Sequence, residues 1–344
     1  MKAMQLTGIR KMEMFNVPDP KINSDNEVLI RMTHVGVCGS DVHYYTTGRI
    51  GSQVVKYPFT VGHEGAGIVD KIGKKVTKVK PGDRIAIDPA MPCYECDQCK
   101  TGRFHTCRKL KFLGCPGQAE GCLSEYIVMP ENSCFILPEN LTLEDGALSE
   151  PLTIGVYAAN LSQLKTGMNI GILGCGPIGL SVLAASMVFR PNKIIATDKL
   201  DYRSDAAMKS GASLVLNPNK HNVLKEVSQF EPLLLDMVFE CSGTQEAVDQ
   251  ALEILKPGGK LMQIGIPEFD RFSLSADLTR RKEICIQNVR RQNETVNKCI
   301  SLMSSGKIKA QHWITHRFKL SECKQAFDLV ADYNDGVVKA MIEI

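Results

Sequence analysis

Between residues 168 and 264 the chain alternates short apolar runs with stretches of helical spacing. Residues 168–173 form an apolar run bounded by glycines, and residues 177–189 carry apolar positions at helical intervals. A second run at 193–197 is followed by a polar helical stretch at 201–210. Strand patterns recur at 213–216, 236–240 and 260–264, with a helical pattern at 245–255 between the last two. Strand and helix in alternation predict a parallel, doubly wound sheet. The first 150 residues have a different texture. Short β-type runs such as 27–32 and 67–72 are punctuated by Pro81-Gly82-Asp83 and Pro138-Glu139-Asn140, which predicts an irregular, mostly β domain. From about residue 288 the alternation loosens, with a helical pattern at 294–304 and a strand pattern at 337–344. The chain is expected to return there to its first domain.

A length of 344 residues favours two domains over one core. Hydrophobic content of 44% and charged content of 23% are ordinary for a globular enzyme. Net charge is only +3 and the basic residues are dispersed, so nothing calls for a nucleic-acid partner. The longest apolar stretch, near 180–189, carries two serines and is too short for a membrane span. Residues 1–16 have no continuous apolar core of the secretory kind. A cytoplasmic location is the expectation. The cysteine count is odd, at 13, which fits thiolates serving metals in a reducing compartment better than a disulfide framework.

Gly174-Cys175-Gly176-Pro177-Ile178-Gly179 follows an apolar strand pattern and opens a helical one. Glycines so placed allow a tight turn, close approach of backbone to a pyrophosphate, and close helix–strand packing. Asp198 ends the next strand pattern, 24 residues after Gly174. A carboxylate there accepts hydrogen bonds from both ribose hydroxyls and repels a 2′-phosphate, so NAD is expected over NADP. Lys199 and Arg203 nearby are the cations that would oppose this preference.

Cys93, Cys96, Cys99 and Cys107 fall within fifteen residues. Four thiolates give zinc a closed tetrahedral shell with no position for water, hence a structural site. An iron–sulfur cluster is disfavoured because the spacing lacks the usual Cys-Pro ending. A second set is scattered: Cys38 in Cys38-Gly-Ser-Asp-Val-His43, His63 and Glu64 in Gly62-His63-Glu64-Gly65, and Glu150 before Pro151-Leu152. Mixed sulfur, nitrogen and oxygen donors at long intervals suit an open, catalytic zinc site.

These patterns resemble the zinc-containing medium-chain alcohol dehydrogenases, and Cys38 to Tyr44 followed by Gly48-Arg49-Ile50-Gly51 is similar to the sorbitol and xylitol dehydrogenase branch. The resemblance implies an α/β protein in which a GroES-like, mostly β catalytic domain (residues 1–154 and 288–344) accompanies a Rossmann doubly wound parallel-sheet domain (155–287). It implies that Cys38 and His63 bind catalytic zinc. Glu64 and Glu150 match two carboxylates, one a direct ligand and the other either direct or linked through water. It further implies Ser40, His43 and Glu150 as catalytic residues, the proton passing either through a Glu150-linked water or through Ser40 and the ribose toward His43, and Tyr44, Glu150 and Arg290 as substrate contacts. Gly174, Gly176, Pro177, Ile178, Gly179, Asp198, Arg203, Ile264, Gly265, Ile266, Asn288, Val289 and Arg290 would contact NAD. The chain departs from the branch after Arg290. Arg291-Gln-Asn-Glu294 stands where an aromatic residue and an Asn-Thr-x-x-Pro stretch are usual, in the region that shapes the far end of the substrate pocket.

The expected reaction is oxidation of a secondary hydroxyl of a polyol to a ketose, with zinc as Lewis acid and NAD as hydride acceptor. Threonine-dehydrogenase-like amino-alcohol oxidation and a sugar-alcohol-phosphate substrate are the alternatives within the enzyme class, and a second cation at Arg291 would suit a phosphate. A non-enzymatic NAD- and zinc-binding interaction protein is the alternative outside it. A homodimer or homotetramer is expected, with an edge strand near 284–287 as the candidate contact.

Overall fold

The computed structural model describes residues 1–344. The chain divides into two compact units: Met1–Glu150 with Val296–Ile344, and Pro151–Thr295. No helix is long and apolar enough to cross a membrane.

The first unit is built on a seven-stranded sheet. Its central strand, Glu27–Gly36, alternates buried and open positions along much of its length, as a strand with one face on a core should. This strand pairs antiparallel with Glu64–Ile72 along one edge. On the other edge it pairs with Tyr126–Pro130 near its start and with Lys339–Glu343 near its end. Lys339–Glu343 in turn lies parallel to Ile314–Lys319. The core beneath includes Ile30, Met32, Val35, Ile85 and Ile342, all buried. Two registers fix the far end of the central strand. Gly36 stands opposite Glu64, and the Val37 N–H donates to the Ala340 carbonyl at 3.0 Å.

The second unit is a six-stranded, all-parallel sheet. Its spatial order is Leu214–Leu216, Lys193–Thr197, Asn169–Leu173, Leu235–Glu240, Leu255–Gln263, Cys285–Asn288. Numbered by sequence within the unit, that is 3-2-1-4-5-6, the Rossmann order. Helices Pro177–Met187, Asp201–Lys209, Val223–Phe230, Gln245–Ile254 and Ala276–Arg281 connect the strands. Three start at side-chain caps: Asn222 accepts from the Lys225 N–H, Thr244 from Ala247 and Ser275 from Leu278.

Candidate active site and metal centres

Strand Glu27–Gly36 ends where helix Gly39–Thr47 begins, and Cys38 is the residue before the helix. On the neighbouring strand His63 and Glu64 stand at the start of Glu64–Ile72. Pairing of Gly36 with Glu64 therefore carries three donors to one place: a sulfur of Cys38, a ring nitrogen of His63 and a carboxylate oxygen of Glu64 lie within 4.8 Å of one another. A side chain at position 36 would overlap Glu64 Oε2 and lie 3.0 Å from Lys339 Cε, so the approach requires glycine. Zinc bonds of ~2.0–2.3 Å in a tetrahedron set donors ~3.3–3.8 Å apart, within the 4.8 Å bound of this trio. Thiolate, imidazole and carboxylate together are a donor set that fits zinc.

The surroundings select the donor atoms. His63 Nδ1 is 3.2 Å from Asp41 Oδ1, which also accepts the Gly62 N–H at 3.3 Å. With Nδ1 held, Nε2 is the nitrogen left for a metal. Burial alone lowers the His63 imidazole, yet the charges of Asp41 and Cys38 hold it well above its ordinary value. The Ser40 hydroxyl donates to Cys38 Sγ at 3.3 Å. Glu64 forms a buried ion pair with Lys339, whose ammonium also donates to the Val37 carbonyl at 3.0 Å. Glu150 lies in helix Leu143–Ser162 and is buried. It is outside the trio. Burial pushes its carboxyl up to about 7, the His63 imidazole opposing and Glu64 adding to the shift.

Of the other residues singled out for this site, Ser40, His43 and Tyr44 share helix Gly39–Thr47. Tyr44 is buried and its hydroxyl donates to Gln53 Oε1 at 3.0 Å. Asp41 and Lys339 are additions that the motifs do not name. Asp41 sits inside the Cys38–His43 motif, so a carboxylate three residues from a ligand is the available signal. Lys339 carries no local signal at all.

The cysteine lobe is a separate centre. Four of its Sγ···Sγ edges are 3.5 Å (Cys107–Cys93), 3.6 Å (Cys96–Cys99), 3.9 Å (Cys96–Cys107) and 4.0 Å (Cys93–Cys99). A tetrahedron with Zn–S bonds of ~2.3 Å has edges of ~3.8 Å. The lobe fits zinc as it stands. Backbone N–H groups of Arg108 and Cys99 pull the Cys96 thiol down to about 6, and those of Cys93 and Lys109 donate to Cys107 Sγ at 3.3 and 3.4 Å. At Cys96 this favours thiolate, the form a metal binds. A third group, His34, Glu144 and Glu343, is also compact. There the Arg317 guanidinium holds both Glu144 oxygens, at 2.6 and 3.0 Å, and occupies the place of a cation.

In the second unit the glycine loop joins strand Asn169–Leu173 to helix Pro177–Met187, with Gly176 at the helix cap and Pro177 in its first turn. At Gly179 a Cβ would strike the Gly174 carbonyl oxygen, so helix and loop pack as closely as glycine allows. Asp198 follows strand Lys193–Thr197, and its carboxylate accepts the Cys175 N–H at 2.7 Å and the Leu200 N–H at 2.9 Å. The Arg203 guanidinium lies beside Gly176. Ile264 to Ile266 follow strand Leu255–Gln263, Asn288 ends the sixth strand, and Val289 and Arg290 come next. The glycine loop, Asp198, Ile264 to Ile266 and Asn288 to Arg290 stand at the carboxyl ends of parallel strands, where ligands of open α/β sheets bind, and Arg203 lies in the helix that follows Asp198. Of the two cations that could oppose Asp198, Lys199 is already engaged: its ammonium pairs with Glu246 at 2.6 Å.

Comparison with known proteins agrees with both halves. The model of the alcohol dehydrogenase GroES-like domain matches residues 24–139, and that of the zinc-binding dehydrogenase matches 177–305. A sorbitol dehydrogenase of Bacillus subtilis (strain 168) is 36% identical over 343 residues, 99% of this chain and 97% of the relative. The chain belongs to the zinc-containing medium-chain alcohol dehydrogenases. Among solved structures, an oxidoreductase of unknown specificity from Escherichia coli matches this dehydrogenase with a TM-score of 0.94 and 32% identity, covering 100% of this chain and 99% of that one. A zinc-binding dehydrogenase of Sinorhizobium meliloti 1021, bound to NADP, matches with a TM-score of 0.91 and 27% identity, covering 100% and 99%. The α/β fold of GroES-like and Rossmann parts and the standing as an enzyme follow from the family.

Proposed function

We propose that this dehydrogenase oxidises a secondary hydroxyl of a polyol of the sorbitol, xylitol or galactitol kind to the ketose, with NAD as oxidant. The observation that carries the reading is the convergence of Cys38, His63 and Glu64 on one point. The polyol class is supported by the sorbitol dehydrogenase relative. Cys38 and His63 would hold catalytic zinc with a carboxylate from Glu64 or Glu150, and Cys93, Cys96, Cys99 and Cys107 a structural one. Bound in these places, Zn²⁺ supplies Lewis acidity that favours loss of the hydroxyl proton, and the dinucleotide supplies the hydride acceptor.

The chain's own groups do the rest. Asp41 fixes the ring of His63 so that Nε2 faces the centre. Ser40 and His43, on one helix, pass the substrate proton outward. Tyr44 and Glu150 would contact the polyol. Asp198 would accept from the ribose hydroxyls and disfavour a 2′-phosphate, Lys199 is paired with Glu246 at the surface, and Arg203 beside Gly176 is the cation that would favour such a phosphate. The NADP-bound relative makes this preference one to measure directly.

Sorbitol, xylitol, galactitol and threonine should be compared as reductants of NAD and NADP at the NADH absorbance, with zinc measured in parallel. Turnover of polyols with NAD, abolished in Cys38→Ser while NAD binding is spared, is the expected result. Turnover confined to threonine, or full activity in Cys38→Ser, would overturn it. We further infer a homo-oligomer, supported by the free edge of strand Cys285–Asn288; light scattering that finds only monomer removes this.

A further inference from the structure

Lys339 and Glu64 are both almost wholly buried, at 2% and 1% exposure, and lie 275 residues apart in sequence. A lysine carried that far from water needs a reason. Here the ammonium has two partners: Glu64 Oε2 and the backbone carbonyl of Val37, the residue before Cys38. It therefore touches both segments that carry the three converging donors. The close passage at Gly36 is what admits it, since a Cβ there would collide with the Glu64 carboxylate and crowd Lys339 Cε.

We propose that Lys339 is a positioning residue of the metal centre: its ammonium competes with the metal for the Glu64 carboxylate and so sets how strongly Glu64 ligates. The inference rests on the zinc site proposed above. One carboxylate faces two cations, and each weakens the hold of the other. With Lys339 present, Glu64 Oε2 is engaged and only partial donor strength is left for zinc. Removing the ammonium deprives a buried carboxylate of its hydrogen-bonded counter-ion in the metal-free protein, which is costly. Zinc then relieves that cost, so the metal must bind more tightly, by linkage. The stronger carboxylate ligand also quenches more of the ion's charge. Lys339 thus protects the Lewis acidity of the centre by keeping Glu64 at arm's length.

The test is Lys339→Met in the full-length, metal-loaded enzyme, with zinc retention measured against a chromogenic chelator. The phase belonging to this centre is the one absent in Cys38→Ser. Zinc held about tenfold more tightly than in the unaltered enzyme is expected, the scale on which residues behind metal ligands act. In cobalt-loaded protein the visible ligand-field bands should change in Lys339→Met, remain in place in Lys339→Arg, and be the same in Glu64→Gln and the Glu64→Gln/Lys339→Met pair. Lys339→Gln, which keeps a neutral donor in the pocket, replaces the methionine variant should that not fold. Weaker zinc binding in Lys339→Met, with Glu64 intact or with Glu64→Gln, marks a purely structural lysine and overturns the proposal. Unchanged retention and bands overturn it too. Absence of metal from the Cys38 centre of the unaltered enzyme would instead overturn the functional reading.

Discussion

Asp198 combines two roles in one residue, and Asp198→Ala tells them apart by magnitude. In the structure the carboxylate is 8% exposed and accepts N–H groups from Cys175 in the glycine loop and from Leu200. Truncation leaves both donors without that acceptor, at about 1–3 kcal/mol for a buried one. A fall in stability is thus expected whether or not a nucleotide binds. If the carboxylate also receives the ribose hydroxyls, NAD loses a further charge-assisted interaction of roughly 1.5–3 kcal/mol. That is a drop of about ten- to a hundredfold in affinity. NADP loses repulsion between the carboxylate and its phosphate, so its affinity moves the other way. The ratio of NAD to NADP affinity should fall by about two orders of magnitude. Fluorescence titration with NADH and NADPH gives the ratio, and thermal unfolding gives the stability term. A ratio within about threefold of the unaltered enzyme, with Tm lowered as expected, would show that Asp198 braces the loop and nothing more.

Other consequences are simpler. Asp41→Asn removes the charge behind His63 and should cost about ten- to a hundredfold in zinc affinity at the Cys38 centre; chelator competition that finds no loss refutes the orienting role. Cys99→Ser breaks the tetrahedron of thiolates and should lower both zinc content, by about one ion per chain, and Tm, which metal analysis and calorimetry check together. Hydrogen bonding to Arg317 holds the Glu144 carboxyl below its ordinary value. Its stabilisation is then present above the unfolded carboxylate pKa and is lost as pH falls through the folded one. Because Arg317 is 47% exposed, Arg317→Leu should cost no more than ~1 kcal/mol at neutral pH and less in acid; an equal loss at both ends of the range contradicts the linkage.

The Rossmann half is legible because its signals are local. A strand, a glycine turn and a helix follow one another within about twenty residues, and buried parallel strands write themselves as apolar runs. Even there one strand starts early, at Leu255 rather than Lys260, because Pro257-Gly258-Gly259 reads as a turn. The pairing absorbs it through an irregularity between Leu235 and Met237. Helix Leu143–Ser162 is hidden for two reasons. Pro151 lies inside it, and it is buried on most sides, so no apolar stripe at 3.6-residue spacing stands out. At the metal centre, Cys38, His63 and Glu64 are readable from their motifs, and the sheet register explains why they meet. Asp41 is in plain view within such a motif. Lys339 is not readable, since its meaning comes only from a strand that pairs across some three hundred residues.

That same strand has a consequence for synthesis. Its neighbour in the sheet, the strand ending at Gly36, is encoded early, yet Lys339–Glu343 is translated about three hundred residues later. At roughly 5–20 residues per second the strand that carries Gly36 is made some tens of seconds before the strand that pairs with it. Until the newcomer docks, Glu64 has no ammonium to face. A nascent chain that captured zinc in that interval would do so through a carboxylate still unrestrained, so the order of metal loading and strand insertion becomes part of how the enzyme is made.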